Sequence, residues 1–207
     1  HPLALAARQF LRVTLLQSRQ AHLLQHPGNA LAALGAVKAL GVSTGEAVKA
    51  LESFAGIRRR MEVVGAVNAV TVIDDFGHNP DKVAATLTTL KSHPGRVIAF
   101  FQPHGYGPLR QMGAELAQVI GRKLGANDVA ILCDPVYFGG TVDRSEGSER
   151  IVRLIEEAGA RAEYVPERSA CADRMAEIAQ AGDRIVVMGA RDDTLTVFAR
   201  DLLARLA

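Results

Sequence analysis

Apolar residues recur at three- and four-residue intervals from Leu3 to Gln17, Asn29 to Leu40 and Thr44 to Phe54, a spacing that predicts three helices. Gly41 follows the second stretch as a stop signal. Ser43 precedes the third, with Glu46 three positions on, the spacing of a capping box. The rhythm changes after Ala55 and Gly56, which predicts a domain boundary there. Two runs rich in β-branched residues follow, Met61 to Val67 and Val70 to Ile73, and Asn68 and Ala69 between them predict a hairpin.

From there strands alternate with helices. Short apolar runs at Arg96 to Phe101, Asp128 to Cys133, Ala162 to Val165 and Arg184 to Met188 have the continuous character of buried strands. Helical patterns occupy Pro80 to Lys91, Leu109 to Leu124, Ser148 to Ala158, Ala170 to Gln180 and Asp193 to Leu206. That alternation predicts an α/β fold with mainly parallel strands and helices on both faces of the sheet.

Composition narrows the function classes. With 48% hydrophobic and 22% charged residues the chain is neither disordered nor fibrous, and its 207 residues suffice for one large domain or a domain plus part of another. A formal charge of +2 gives no reason to expect nucleic acid, and Arg58, Arg59 and Arg60 form the single dense basic run. Cys133 and Cys171 lack the paired spacing of a metal or redox motif, so two inert thiols in a reducing compartment are expected. No apolar run is long enough for a membrane span and no signal-peptide pattern opens the chain, so a cytoplasmic location is expected. The opening His1-Pro2 reads as the edge of a piece cut from a longer chain.

In a parallel sheet ligands gather beyond the carboxyl ends of the strands. Those places are Asp74 to Pro80, Gln102 to Arg110, Asp134 to Gly140 and Gly189 to Thr194. All but the third are dense in polar side chains and glycine, whereas the third offers Gly139 and Gly140 but little reactive chemistry. Asp75 at a strand end can accept from ribose hydroxyls, and Arg60, fifteen positions upstream, can return across the hairpin to phosphate oxygens. The alternative is an Asp capping the helix that opens at Pro80 and an Arg on a solvated face.

Four ordered segments carry a family resemblance: His26 to Ala33, Gly56 to Glu62, Asp74 to Pro80, and Phe101-Gln102-Pro103-His104-Gly105-Tyr106. Each is similar to a segment of the Mur ligase family, and the last two to its muramate-alanine branch. The resemblance runs from Asn29 to the C-terminus. It implies a helical remnant of a central ATPase domain over residues 1–55 and a complete C-terminal domain over 56–207, with a doubly wound, dinucleotide-fold-like sheet. It further implies an ATP-dependent enzyme of peptidoglycan-precursor synthesis that joins an amino acid to the carboxylate of a UDP-sugar. The route is an acyl phosphate made from ATP and Mg²⁺, with the metal held mainly by the central domain. Carried over by position, Asn29 would contact adenine, Arg60 the phosphates and Asp75 the ribose. His78, Asn79, His104 and Arg191 would border the incoming amino acid.

The departures are as specific. No Gly-x-x-x-x-Gly-Lys-Ser/Thr occurs, so the phosphate-cradling loop is missing and the chain alone should not turn over. The first Asn of the family pattern is replaced by His26, its second His by Asn79, and two arginines of the muramate-alanine branch by Gly105 and Pro108. Arg191 adds a cation at another strand end, unless it merely pairs with Asp192 or Asp193 at the surface. Two other readings stay open: a relative using another amino acid or acceptor, as folate and poly-amino-acid ligases do, and a non-catalytic nucleotide-binding module.

Overall fold

The computed structural model describes residues 27–52, 57–137, 139 and 141–207. The chain divides into two compact units, His1–Arg60 and Met61–Ala207. The helix expected over Leu3 to Gln17, the His26 position and the boundary at Ala55 and Gly56 lie outside the described residues.

In the first unit, helices α1 (Pro27–Ala39) and α2 (Thr44–Glu52) stand where the periodicity puts them. The capping box forms: the Glu46 carboxylate accepts from the Ser43 N–H (3.2 Å) and hydroxyl (2.6 Å), while the Ser43 oxygen accepts from the Glu46 N–H (3.3 Å). The two helices border an open groove of about 730 Å³, lined by Leu34, Val37, Leu40, Ala47 and Leu51 among others.

The second unit is built on strands β1 (Glu62–Val67), β2 (Val70–Asp75), β3 (Val97–Gln102), β4 (Val129–Leu132), β5 (Arg161–Tyr164) and β6 (Arg184–Gly189). Helices α3 (Pro80–Lys91), α4 (Tyr106–Lys123), α5 (Ser148–Glu157), α6 (Arg168–Ile178) and α7 (Leu195–Arg205) alternate with them after β2. The strands form one sheet in the order β1-β2-β6-β3-β4-β5. Only the β1–β2 pairing is antiparallel. That hairpin turns through Asn68 and Ala69, both at positive φ (49° and 61°), and the Asn68 amide donates to the Leu206 carbonyl at 2.8 Å.

Strand alternation sorts the core into two layers. Val97, Ala99 and Phe101 of β3 face α3, α4 and α5, in a layer with Leu87, Leu116 and Ile151. Ile98 and Phe100 face α6 and α7, with Met175, Phe198 and Leu202. Gly121 lets α4 approach α5, since a Cβ there would stand 2.3 Å from Ala158 Cβ. The doubly wound, mainly parallel architecture follows. Because β6 lies between β2 and β3 but sends its helix to the opposite face, the connections leave the sheet on opposite faces on either side of β6, the position where such sheets open a crevice.

Element ends differ from the periodicity by a few residues. Helix α4 begins at Tyr106 rather than Leu109, since Pro108 sits in its first turn, where no backbone N–H needs an intrahelical acceptor. Helix α7 begins at Leu195 rather than Asp193 because the Asp192 carboxylate binds the Thr194 N–H and hydroxyl and turns the chain first.

Candidate functional site

Register fixes what meets at the carboxyl edge. Asp75 pairs with Met188, and Gln102 with Gly189, so the loops after β2, β3 and β6 leave the sheet side by side. These loops carry His78 and Asn79, His104, and Arg191 respectively. A side chain at Gly189 would meet Leu195 Cδ1 at 2.7 Å and the Gln102 carbonyl at 3.0 Å, so glycine is what lets β6 end so close to β3.

The two histidines stack edge to face, their ring centroids 5.2 Å apart and their planes at 78°. His78 also meets Phe76 edge to face and places Nδ1 2.9 Å from the Phe76 carbonyl. His104 is 9% exposed. Burial first, then the charges of His78 and Arg191, push its imidazole down to about 4, so it is neutral at pH 7. A neutral ring can accept a proton or a hydrogen bond from an amine.

Arg191 is exposed and sits in the left-handed region (φ 61°), a conformation that costs a non-glycine residue energy. Asp192 does not serve as its surface partner. The Asp192 carboxylate instead accepts from Arg168 Nη1 (2.7 Å), Gln102 Nε2 (2.8 Å), and the Thr194 N–H (2.9 Å) and hydroxyl (2.5 Å). Burial raises its affinity for a proton, but the hydrogen bonds from Thr194 and Gln102 and the Arg168 charge outweigh that and hold it below the ordinary carboxylate range.

Asp75 lies at the end of β2 and is 3% exposed. Its Oδ1 accepts from the Met61 N–H at 3.0 Å, and its Oδ2 from the Thr86 hydroxyl at 2.6 Å and the Gly77 N–H at 3.2 Å. It is not the cap of α3. Asn79 is, its side-chain oxygen accepting from the Lys82 N–H at 2.9 Å. Asp74, also buried, accepts from the Thr196 hydroxyl at 2.9 Å and ties β2 to α7.

The structure thus brings Asp75, His78, Asn79, His104 and Arg191 to the edge of one sheet. Asn29, in the first turn of α1, and Arg60 belong to the other unit. Sequence reasoning missed Arg168, Gln102 and Asp192 as an interlocked group, and it read the loop after β4 as poor in chemistry. That loop holds the Arg144 guanidinium carbon over the Tyr137 ring, 3.4 Å from its centre, and 6.0 Å from the centre of the Tyr106 ring, while Asp134 accepts from the Tyr164 hydroxyl at 2.6 Å. Cys133 and Cys171, apart in sequence, share the α6–α7 layer; the Cys133 thiol donates to Gln102 Oε1 at 3.7 Å and the Cys171 thiol to the Val165 carbonyl at 3.2 Å. The neighbouring Cys171 thiol together with burial pushes the Cys133 thiol upward.

The arrangement resolves into a known type when set against other proteins. The model of the Mur ligase glutamate ligase domain matches residues 59–191. The chain belongs to the Mur ligase family. A UDP-N-acetylmuramate–L-alanine ligase of Desulforamulus reducens is 33% identical over 181 residues, covering 86% of this chain and 38% of that protein. The enzyme of the same name from Agrobacterium fabrum is 39% identical over 171 residues, covering 80% of this chain and 35% of its own length. This member therefore spans little more than a third of those relatives. Among solved structures, a murein peptide ligase from Psychrobacter arcticus superposes with a TM-score of 0.57 at 27% identity, covering 86% of this chain and 36% of that one. UDP-N-acetylmuramate-alanine ligase from Thermotoga maritima gives 0.62 at 23% identity over 86% and 36%, a likeness of fold.

Among the described residues no helix is long and apolar enough to cross a membrane. Nor does any group of three His, Cys, Asp or Glu side chains there suit a metal ion, so no step is assigned to Mg²⁺ within this chain.

Proposed function

We propose that this chain is the C-terminal part of an ATP-dependent ligase that joins an amino acid to the carboxylate of a UDP-N-acetylmuramate-type substrate in peptidoglycan-precursor synthesis. In that reaction the γ-phosphate of ATP passes to the carboxylate and ADP leaves. The amino group then attacks the acyl carbon, and phosphate departs with the C–O bond. Residues 1–55 would end a central nucleotide-binding domain and residues 56–207 would form the domain that receives the amino acid. The open apolar groove beside α1 and α2 supports the first assignment, because it exposes Leu40 and Val42 as a larger core would not.

The observation that carries the reading is the stacked pair of His78 and neutral His104 at the carboxyl edge of the sheet, with Arg191 on the adjoining loop after β6. A guanidinium suits the carboxylate of an amino acid, and a neutral imidazole suits its amine. Asn29, Arg60 and Asp75 are assigned to adenine, phosphates and ribose. For Asp75 the hydrogen-bond inventory qualifies that role, since three protein donors already occupy its carboxylate and leave little capacity for a ribose hydroxyl. ADP bound in a solved Escherichia coli FolC structure, which shares this fold with a TM-score of 0.58, supports adenine-nucleotide use. The location consistent with soluble nucleotide substrates is the cytoplasm.

The test is amide formation by the intact protein that carries this chain. ADP release that requires both a UDP-N-acetylmuramate-type acceptor and an amino acid is the expected result. ADP release independent of both would defeat the proposal.

A further inference from the structure

Arg168 is the first residue of α6, on the face of the sheet opposite α4, yet its guanidinium reaches the turn after β6. Nη1 lies 2.7 Å from Asp192 Oδ2 and 3.3 Å from Gln102 Oε1, and Nη2 lies 3.0 Å from Thr194 Oγ1. The guanidinium carbon stands 5.6 Å from the centre of the Phe198 ring. One planar fork therefore joins α6, β3 and the start of α7 to the residue that follows Arg191. Most exposed ion pairs hold little, because both chains are free to leave. This one is different in kind: Gln102 is 4% exposed, the Asp192 side chain is 16% exposed, and each member has at least two partners.

We infer that Arg168 is a positioning residue, which fixes the left-handed Arg191 turn through Asp192 and so holds the Arg191 guanidinium at the carboxyl edge of the sheet, on the loop next to the one that carries His104. This rests on the proposed role of Arg191 toward an amino-acid carboxylate. The physical chain is short. Arg191 occupies a backbone region that its side chain disfavours, so its neighbours must hold it there. The Asp192 carboxylate does so with four hydrogen bonds, and Arg168 supplies the only positive charge among their donors. Gln102 completes the lock from β3, donating to Asp192 and accepting from Arg168.

The first experiment uses the 207-residue chain and the imidazole resonances of His104 in an NMR pH titration. Arg191→Ala removes a nearby cation and is expected to raise the His104 midpoint by roughly half a pH unit. Asp192→Asn is the decisive variant. By direct charge alone, deleting an anion would lower that midpoint. A rise in Asp192→Asn, absent when Arg191 is already Ala, means that the cation has swung away, as does the same result for Arg168→Ala. A midpoint that falls or stays unchanged in Asp192→Asn overturns the inference, as does an Arg191→Ala variant that titrates like wild type. Circular dichroism identifies any variant that fails to fold, and either Arg168→Ala or Asp192→Asn suffices to decide the matter.

The second experiment uses the intact ligase. Arg168→Ala is expected to raise the KM for the amino acid about 10-fold and leave the KM for ATP unchanged. Equal KM values for the amino acid in variant and wild type count against positioning. Absence of amide formation with every amino acid defeats the ligase reading instead, and the NMR outcome then still decides whether Arg168 holds the turn.

Discussion

His78 and His104 stack edge to face at the carboxyl edge of the sheet, 5.2 Å between ring centres, although 26 positions separate them in the chain. The contact exists because β6 inserts between β2 and β3, leaving the loops that follow all three strands on one edge.

His104 gives the fold a pH dependence of definite sign. Its midpoint falls from the ordinary 6.5 to about 4 on folding, so between those values the unfolded chain binds more protons than the native one. Stability contributed by the neutral ring is complete above pH 6.5, is lost as pH falls toward 4, and changes no further below that. Thermal melts of wild type and His104→Gln across pH 4 to 7 check this: the slope over that window should be shallower in the variant.

Asp75 is expected to act first as a structural group. Replacing it with Ala leaves the Met61 N–H and the Gly77 N–H without this acceptor, each buried orphan costing about 1–3 kcal/mol, and removes the 2.6 Å bond from the Thr86 hydroxyl. Asp75→Ala should therefore lower the thermal midpoint of the 207-residue chain clearly, and Thr86→Val, which removes one of the three donors, should lower it less. A melt of Asp75→Ala superimposable on wild type would contradict the hydrogen-bond network.

Gly121 tests the packing behind the site. An Ala there puts its Cβ 2.3 Å from Ala158 Cβ and 3.1 Å from the Ile155 carbonyl, so α4 and α5 must part. Overpacking of this kind costs ~1–3 kcal/mol, a drop of roughly 2–10 °C in a chain of this size. Calorimetry of Gly121→Ala should show it, whereas Gly107→Ala, with nothing within 4 Å of the new Cβ, should melt near wild type.

The alternation of strand and helix was legible because each buried strand is a short apolar run and each helix keeps one apolar face. The strand ends were legible for the same reason, and His78, His104 and Arg191 came with them. What could not be read were bonds made across the sheet. Asp75 looked available because its donors, Met61 and Thr86, reach it only through the hairpin register and the packing of α3. The capping bond of Asn79 was hidden too, because it depends on where α3 starts. Arg168 carried no signal at all, being one of 24 Lys and Arg residues and 24 positions from the carboxylate it holds.

Substrate choice is where the departures from the muramate-alanine pattern acquire a structural reason. Gly105 stands at the start of α4 with φ 143°, a conformation open to glycine and disfavoured for arginine, and Pro108 occupies the first turn of that helix. The two cations expected there are thus absent by backbone design, while Arg191 stands on the adjacent β6 loop with its turn locked by Asp192. A guanidinium moved from one loop to its neighbour meets a carboxylate from a different direction, or meets the side-chain carboxylate of a larger amino acid. On the proposed function, the intact protein is therefore expected not to be a plain L-alanine ligase. A site built to pair a charged group suffers when that group is missing, so Arg191→Ala should reduce kcat/KM for the preferred amino acid by at least ~10-fold and leave the KM for ATP alone. Competition among alanine, glycine, serine, glutamate and aspartate measures the preference. A clear choice of L-alanine, indifferent to Arg191→Ala, would show that the relocated cation plays no part in selecting the substrate.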